Sequence, residues 1–286
     1  MEGFQDAHFV RLRCSVVRRG KYLAADDDGR RVCLSGQRGA HNTVWAVEHV
    51  TAGGVPGAAP GACYVRLRGA YGRYLVATDL QARAGPAHGV TAEQRDAAHH
   101  PTPPAWAWQA FRRRATSFLL RNGTGRYLRA NGRYLRWRNA VTVAGDNASS
   151  MLLWAVEVVP PKPGRVTLVD PPAQLMRRRR GPATEGETTR VVRFVRADES
   201  GEFHESEWRA MRVNTNSLMH LRLTLANRLG HNRDALHTTI CVRAGCYGRL
   251  SPLLVDLPIG NDRIDVVVLS HGTPADDALK YPSVDA

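Results

Sequence analysis

Residues 112–138 hold nine arginines and no aspartate or glutamate. Arg112, Arg113, Arg114, Arg121, Arg126, Arg129, Arg133, Arg136 and Arg138 are interleaved there with aromatic residues such as Trp137. Permanently charged guanidinium groups at this density attract anions, and the chemistry they point to is binding of an acidic protein or a nucleic acid. A merely solvated basic surface has the same composition. A second run, Arg177, Arg178, Arg179 and Arg180, has the form of a nuclear localisation signal or a nucleic-acid contact, and equally that of a solubilising linker segment.

Other chemistry finds little support. Cys241 and Cys246 have no second Cys or His pair at zinc-ligand spacing, so they read as buried strand thiols. His99-His100 is an isolated pair in a loop-like stretch. There is no Gly-x-Ser-x-Gly, no phosphate-cradling glycine loop and no His-Glu-x-x-His. Asp26, Asp27 and Asp28 stand before Gly29, where carboxylates serve a hairpin turn; paired acids alone do not make a glycosidase. The expectation is a non-enzymatic protein with no cofactor and no metal.

The formal charge of +14 is unevenly distributed. Residues 1–160 contain 22 Lys/Arg against 11 Asp/Glu, residues 161–189 contain 6 against 3, and residues 190–286 contain 12 of each. The field therefore belongs to the first half and the segment after it. It suits a filament with acidic faces, a nucleic acid or an anionic surface. No apolar run approaches the roughly 20 residues of a membrane span. The start of the chain is not a secretory signal, and the five scattered cysteines read as reduced thiols. A cytoplasmic or nuclear location is expected.

The elements that must position these residues form repeats. The tetrad Gly-Lys/Arg-Tyr-Leu begins at Gly20, Gly72 and Gly125, with spacings of 52 and 53 residues. A short alternating strand precedes each copy: Val10-Arg11-Leu12, Val65-Arg66-Leu67 and Phe118-Leu119-Leu120. A tryptophan strand follows each one, at Trp45, Trp108 and Trp154. Period-two alternation puts Val10, Leu12, Val65, Leu67, Phe118 and Leu120 inward and Arg11, Arg66 and Arg121 outward. The tetrad glycine supplies a turn, and each buried tryptophan contributes a few kcal/mol, on the order of ~2–3. Three four-stranded units, none able to bury its own face, close into a β-trefoil. Gln81–Pro104 reads as a surface insertion in the second copy, and Gly132–Leu135 as the next strand of the third.

From Pro160 to Thr189 the composition turns to proline, glycine and arginine, which reads as a flexible linker. Beyond it, strands are expected at Arg190–Arg196, Trp208–Val213, Thr239–Arg243, Leu250–Val255 and Arg263–Leu269. The one helix, Leu218–Leu229, carries a stripe of Leu218, Leu221, Leu225 and Leu229; Asn216 or Ser217 caps it and Gly230 ends it. The order β-β-α-β-β-β is that of a ubiquitin-like β-grasp. The fold class is thus mainly β, with an N-terminal β-trefoil and a C-terminal α+β domain. The expected divisions are a trefoil over 1–160, a linker over 161–189, a β-grasp over 190–270 and a disordered tail over 271–286.

With its three tetrads and three tryptophans, the first part resembles the fascin-like, actin-cross-linking β-trefoils. The whole arrangement, including Val191–Arg196 and the leucine-rich helix, resembles a plant family known only as a domain of unknown function. Fold carries over on such a likeness, and function does not. Fascins have four trefoils and bundle actin filaments, whereas this chain has one, so the resemblance implies decoration rather than cross-linking. Filamentous actin is accordingly the first partner expected, as an acidic protein surface met by the basic trefoil face. Nucleic-acid binding through the arginines and linker is the second reading, with steep salt dependence. A glycan-binding trefoil is the third, although the Gln that lectin trefoils place two residues before Trp is here Thr43, Trp106 and Leu152. In each case the β-grasp would dock partners, with Leu250–Val255 as the edge for strand addition.

Overall fold

The computed structural model describes residues 4–14, 20–83, 88–96, 103–114, 116–132, 139–145, 149–162, 189–230, 238–245 and 248–286. The chain divides into two compact units. The first is Met1–Pro161 together with Arg243–Arg249 and Pro282–Ala286; the second is Lys162–Val242 with Leu250–Tyr281. Two short pieces expected in the later domain and the tail thus belong to the first unit. The basic run of the expected linker, Arg177, Arg178, Arg179 and Arg180, lies outside the described residues. So do His99, His100, Cys246 and most of the Gly132–Leu135 echo.

The first unit is a β-trefoil of twelve strands: β1 (Phe9–Cys14), β2 (Lys21–Ala25), β3 (Val32–Ser35), β4 (Trp45–Thr51), β5 (Cys63–Arg68), β6 (Tyr74–Gln81), β7 (Val90–Arg95), β8 (Trp108–Arg114), β9 (Ser117–Asn122), β10 (Tyr127–Ala130), β11 (Val141–Ala144) and β12 (Trp154–Val159). Six of them close a barrel in the order β1-β12-β9-β8-β5-β4 and back to β1, all antiparallel. The other six form three hairpins, β2–β3, β6–β7 and β10–β11, which touch through β7–β11 pairing and the bridges Arg31–Glu93 and Cys33–Ala140. Closure leaves the barrel no free edge. Val10, Leu12, Val65, Leu67, Phe118 and Leu120 all face the interior, as their alternation requires. The tetrad glycines Gly20, Gly72 and Gly125 take φ of +57°, +75° and +85°, the left-handed region that favours glycine.

Three expectations need correction here. Gln81–Pro104 is not all insertion, because it contains β7; small or polar residues fill its inward positions, which hides the alternation. Ala92 and Gln94 are buried, and the Gln94 N–H and side-chain amide donate to the carbonyls of Arg30 and Arg31 at 2.6 and 2.8 Å. Arg11 does not face solvent: it is 1% exposed, and its guanidinium donates to the carbonyls of Ala286 (3.2 Å) and Val284 (2.5 Å). Arg66 is likewise largely covered, for a reason given below. Asp28, in contrast, does what a turn carboxylate should, accepting from the backbone N–H groups of Arg30 and Arg31 at 2.9 and 2.8 Å.

The second unit is ubiquitin-like. Its elements are β13 (Arg190–Arg196), β14 (Arg209–Val213), α1 (Leu218–Arg228), β15 (Thr238–Val242), β16 (Ser251–Pro252), β17 (Ile264–Ser270) and α2 (Pro274–Asp277). The sheet order is β14-β13-β17-β15-β16, with β13 and β17 parallel and the other pairs antiparallel. Ser217 caps α1 by accepting from the His220 N–H, and Gly230 follows its end at φ +78°. Leu218, Leu221 and Leu225 are buried, as the stripe predicts, and Leu229 is half-buried.

The region after Ser270 is not a disordered tail. Asp276 is 2% exposed and accepts from the Thr239 hydroxyl (2.7 Å) and the Gly272 N–H (3.1 Å). Ala275 and Leu279 pack with Phe203, Trp208 and Leu250 over the buried layer Val195, Ala197, Cys241, Val267 and Leu269. A few apolar anchors in a polar stretch therefore suffice to hold it. Leu250–Val255 is also not a full edge strand. Only Ser251–Pro252 pairs as strand, Pro252 has no N–H to offer, and Leu253 turns inward with its N–H on the Ile240 carbonyl at 2.9 Å.

Candidate binding site of the third repeat

The trefoil core repeats one contact three times. The indole N–H of Trp45 donates to the Leu23 carbonyl, that of Trp108 to Leu75 and that of Trp154 to Leu128, each at 3.0 Å. All three tryptophans are fully buried. The leucine of each tetrad thus receives the tryptophan that closes its own repeat, so the two sequence signals are halves of a single interaction. A buried indole must find an acceptor, and the first strand of each hairpin supplies it.

Three residues beyond each tryptophan the threefold pattern breaks. The positions are Glu48, Phe111 and Glu157. At the second-repeat site Glu48, carried by the last strand of the first repeat, is 7% exposed and accepts from Arg68 Nε (2.8 Å), Arg66 (2.9 Å) and the Tyr74 hydroxyl (2.7 Å). This is what covers Arg66, whose guanidinium also stands 4.7 Å from the centre of the Tyr74 ring. Burial, and then the neighbouring Glu48 carboxylate, push the Tyr74 hydroxyl well above its ordinary value of 10.0. At the first-repeat site Glu157 accepts from the Tyr22 hydroxyl and Arg38 Nε, both at 3.2 Å. Burial and Glu157 raise Tyr22 as well. Burial, and then the Arg38 charge, lower Arg11, the cross-strand neighbour of Glu157.

The corresponding site of the third repeat keeps the basic and phenolic groups, and among the described residues no carboxylate reaches them. Arg121 and Tyr127 are cross-strand partners, as are Arg68 and Tyr74 in the second repeat and Arg13 and Tyr22 in the first. Where the glutamate should stand, Phe111 lays its ring 4.9 Å from the Arg121 guanidinium and is itself 40% exposed. Among the described residues, Arg121 donates a hydrogen bond only to Gln109 Oε1, at 3.4 Å, and its buried Nε has no acceptor. Among the described residues, the Tyr127 hydroxyl has no hydrogen-bond partner.

Among the described residues, the predicted arginines differ in exposure and place. Arg112, Arg113 and Arg114 are exposed together at the end of β8, where a bulge between Arg112 and Arg114 opposes Phe118 and Ser117 of β9. Arg121 is half-buried, and Arg126 is exposed in the turn beyond the other end of β9. Arg129 is 9% exposed and so is not on a solvent face; β10 pairs on both sides, with β9 and β11, which leaves that arginine enclosed. Arg133, Arg136 and Arg138 lie outside the described residues, as do all four arginines of the candidate localisation signal, Arg177, Arg178, Arg179 and Arg180. Sequence reasoning missed Glu48, Glu157, Phe111 and Tyr127. Setting the three tryptophans in register would have exposed the Glu/Phe/Glu alternation. Burial, and then Asp26 and Asp27, push the Cys33 thiol up to about 12.

A family model described as a β-trefoil domain of unknown function, DUF569, matches residues 1–157, and that of the DUF569-associated ubiquitin-like domain matches residues 188–269. The chain belongs to the DUF569 family. No curated protein matches this DUF569 chain. Among solved structures, a mosquitocidal holotoxin is 12% identical with a TM-score of 0.41, over 55% of this chain and 18% of the toxin. This chain therefore spans less than a fifth of that protein. A salivary protein from Culex quiquefasciatus, of the Cysteine and Tryptophan-Rich (CWRC) family, is 15% identical with a TM-score of 0.38, over 52% of this chain and 92% of that one. The designed threefold-symmetric protein ThreeFoil is 17% identical with a TM-score of 0.38, over 52% and 97%. No helix among the described residues of the DUF569 chain is long and apolar enough to cross a membrane.

Proposed function

We propose that this protein is a non-enzymatic binding protein whose trefoil engages an acidic protein surface through the β8–β9 hairpin of its third repeat. The observation that carries the reading is the exposure of Arg112, Arg113 and Arg114 in succession. Consecutive strand residues point to opposite faces, and the bulge at this hairpin end turns the strand further. The three cations therefore fan over both sides of a protruding tip. A carboxylate-rich surface meeting that tip gains charge-assisted hydrogen bonds and a faster encounter, both weakened by salt. Filamentous actin is the first partner to try, on the fascin-like resemblance of the repeats.

Co-sedimentation with actin filaments across a salt series tests this, using the wild type and the triple variant Arg112→Glu, Arg113→Glu, Arg114→Glu. Saturable pelleting at near-physiological salt, reduced at least about tenfold by the triple variant, is expected if the tip supplies about 1.4 kcal/mol or more. A single-stranded RNA run in parallel addresses the nucleic-acid reading. Pelleting that the charge reversal leaves intact removes the hairpin from the interface.

A further inference from the structure

We infer that Arg121 and Tyr127 form a receptor site for a carboxylate side chain of an acidic protein segment, the position that Glu48 and Glu157 fill at the two equivalent sites of the trefoil. The inference rests on the reading that the third repeat meets an acidic partner, and it names the contact point. The chain itself shows which ligand the arrangement takes. In the second repeat one carboxylate satisfies Arg68, Arg66 and the Tyr74 hydroxyl at 2.8, 2.9 and 2.7 Å. In the first repeat another satisfies the Tyr22 hydroxyl and Arg38 at 3.2 Å. The same strand pairing sets Arg121 beside Tyr127, yet among the described residues no carboxylate reaches either one.

Phe111 explains why the site stays open. An aromatic ring stacks on one face of a guanidinium and offers no acceptor to its edges. With its centre 4.9 Å from Arg121, the ring holds that side chain in place and, among the described residues, no carboxylate stands against the cation. Because Phe111 is 40% exposed, the same ring offers an incoming glutamate an apolar surface for its methylenes. Leu119 takes the place that Arg66 has in the second repeat, so the third site holds one cation fewer and suits a single carboxylate.

The test uses the full chain and fluorescein-labelled decaglutamate, read by fluorescence anisotropy. Phe111→Glu supplies the missing carboxylate from within, and at least about tenfold weaker binding is expected; Phe111→Gln, of similar size and uncharged, should bind within about twofold of wild type. Tyr127→Phe removes only the hydroxyl and should weaken binding about fivefold, the equivalent of one hydrogen bond near 1 kcal/mol. It gives an independent measure if Phe111→Glu lowers the melting temperature. Phe111→Glu and Tyr127→Phe both binding like the wild type overturns the site, even where the Arg112–Arg114 reversal abolishes binding and the broader reading stands. Loss in Phe111→Glu with no effect of that reversal upholds the site and overturns the hairpin tip.

Discussion

Glu48→Ala and Glu157→Ala remove repeat-related carboxylates, and the structure predicts very different costs. The Glu48 side chain is 6% exposed, and its partners Arg68 and Arg66 are 9% and 15% exposed. Removing it leaves two covered guanidinium groups and the Tyr74 hydroxyl without their acceptor, and loss of one partner from such a buried pair costs about 3–5 kcal/mol. The Arg68–Arg249 carbonyl contact at 3.3 Å would survive and holds the expected loss to the lower half of that range. Glu157 is 26% exposed and its partner Arg38 is 48% exposed, with contacts of 3.2 Å, so water can replace much of what is lost. An exposed pair of that kind contributes about 1 kcal/mol or less. Urea unfolding in a Trp208→Phe background, where all remaining tryptophans lie within the first 160 residues, should give midpoints that separate the two variants at unchanged m. Losses that agree within about 0.5 kcal/mol, within the usual error of additivity, would refute the argument that burial decides the strength of these sites.

The raised hydroxyls of Tyr22 and Tyr74 predict alkaline destabilisation. Both stay protonated in the folded state at pH values where the unfolded tyrosine, with its ordinary value of 10.0, has ionised. Their contribution is complete below pH 10 and declines as pH rises beyond it; thermal melts from pH 9 to 12 should show the fall, with two tyrosines ionising late in a titration at the phenolate absorbance band. Asp276→Ala removes the acceptor of the half-buried Thr239 hydroxyl and of the exposed Gly272 N–H, which water can partly replace, so a loss of about 1 kcal/mol per hydrogen bond is expected. Hydrogen exchange should quicken over residues 271–281 while the β13–β17 ladder keeps its protection, and uniform loss across the sheet would contradict this local picture.

Much of the fold was legible because its signals are local and repeated. Gly20, Gly72 and Gly125 need a left-handed turn, and Trp45, Trp108 and Trp154 need burial, so three copies announce a trefoil before any contact is known. The leucine stripe of α1 and its Ser217 cap are equally local. What stayed hidden depends on partners far along the chain. Alternation sent Arg11 outward correctly, but only the residues 273 to 275 positions later make the outer face an interior. Ala92 and Gln94 concealed β7 because a cap hairpin can be filled by small and amide side chains when neighbouring carbonyls accept their hydrogen bonds. Of the described arginines of the third repeat, Arg114 and Arg126 lie beyond opposite ends of β9 and Arg129 is buried, which no count of charges shows.

The seating of Val284 and Ala286 on Arg11 has a consequence for biosynthesis. A ribosome completes every trefoil strand by Val159, but the carbonyls that receive the Arg11 guanidinium, those of Val284 and Ala286, follow 125 and 127 residues later. At ~5–20 residues per second that is a wait of roughly 6–25 s, long compared with the folding of most small domains. During elongation the nascent trefoil must either keep a charged strand residue hydrated at the seam where β1 meets β12, or delay closing that seam. In either case the final cover of the β1–β12 seam waits for translation of the following domain.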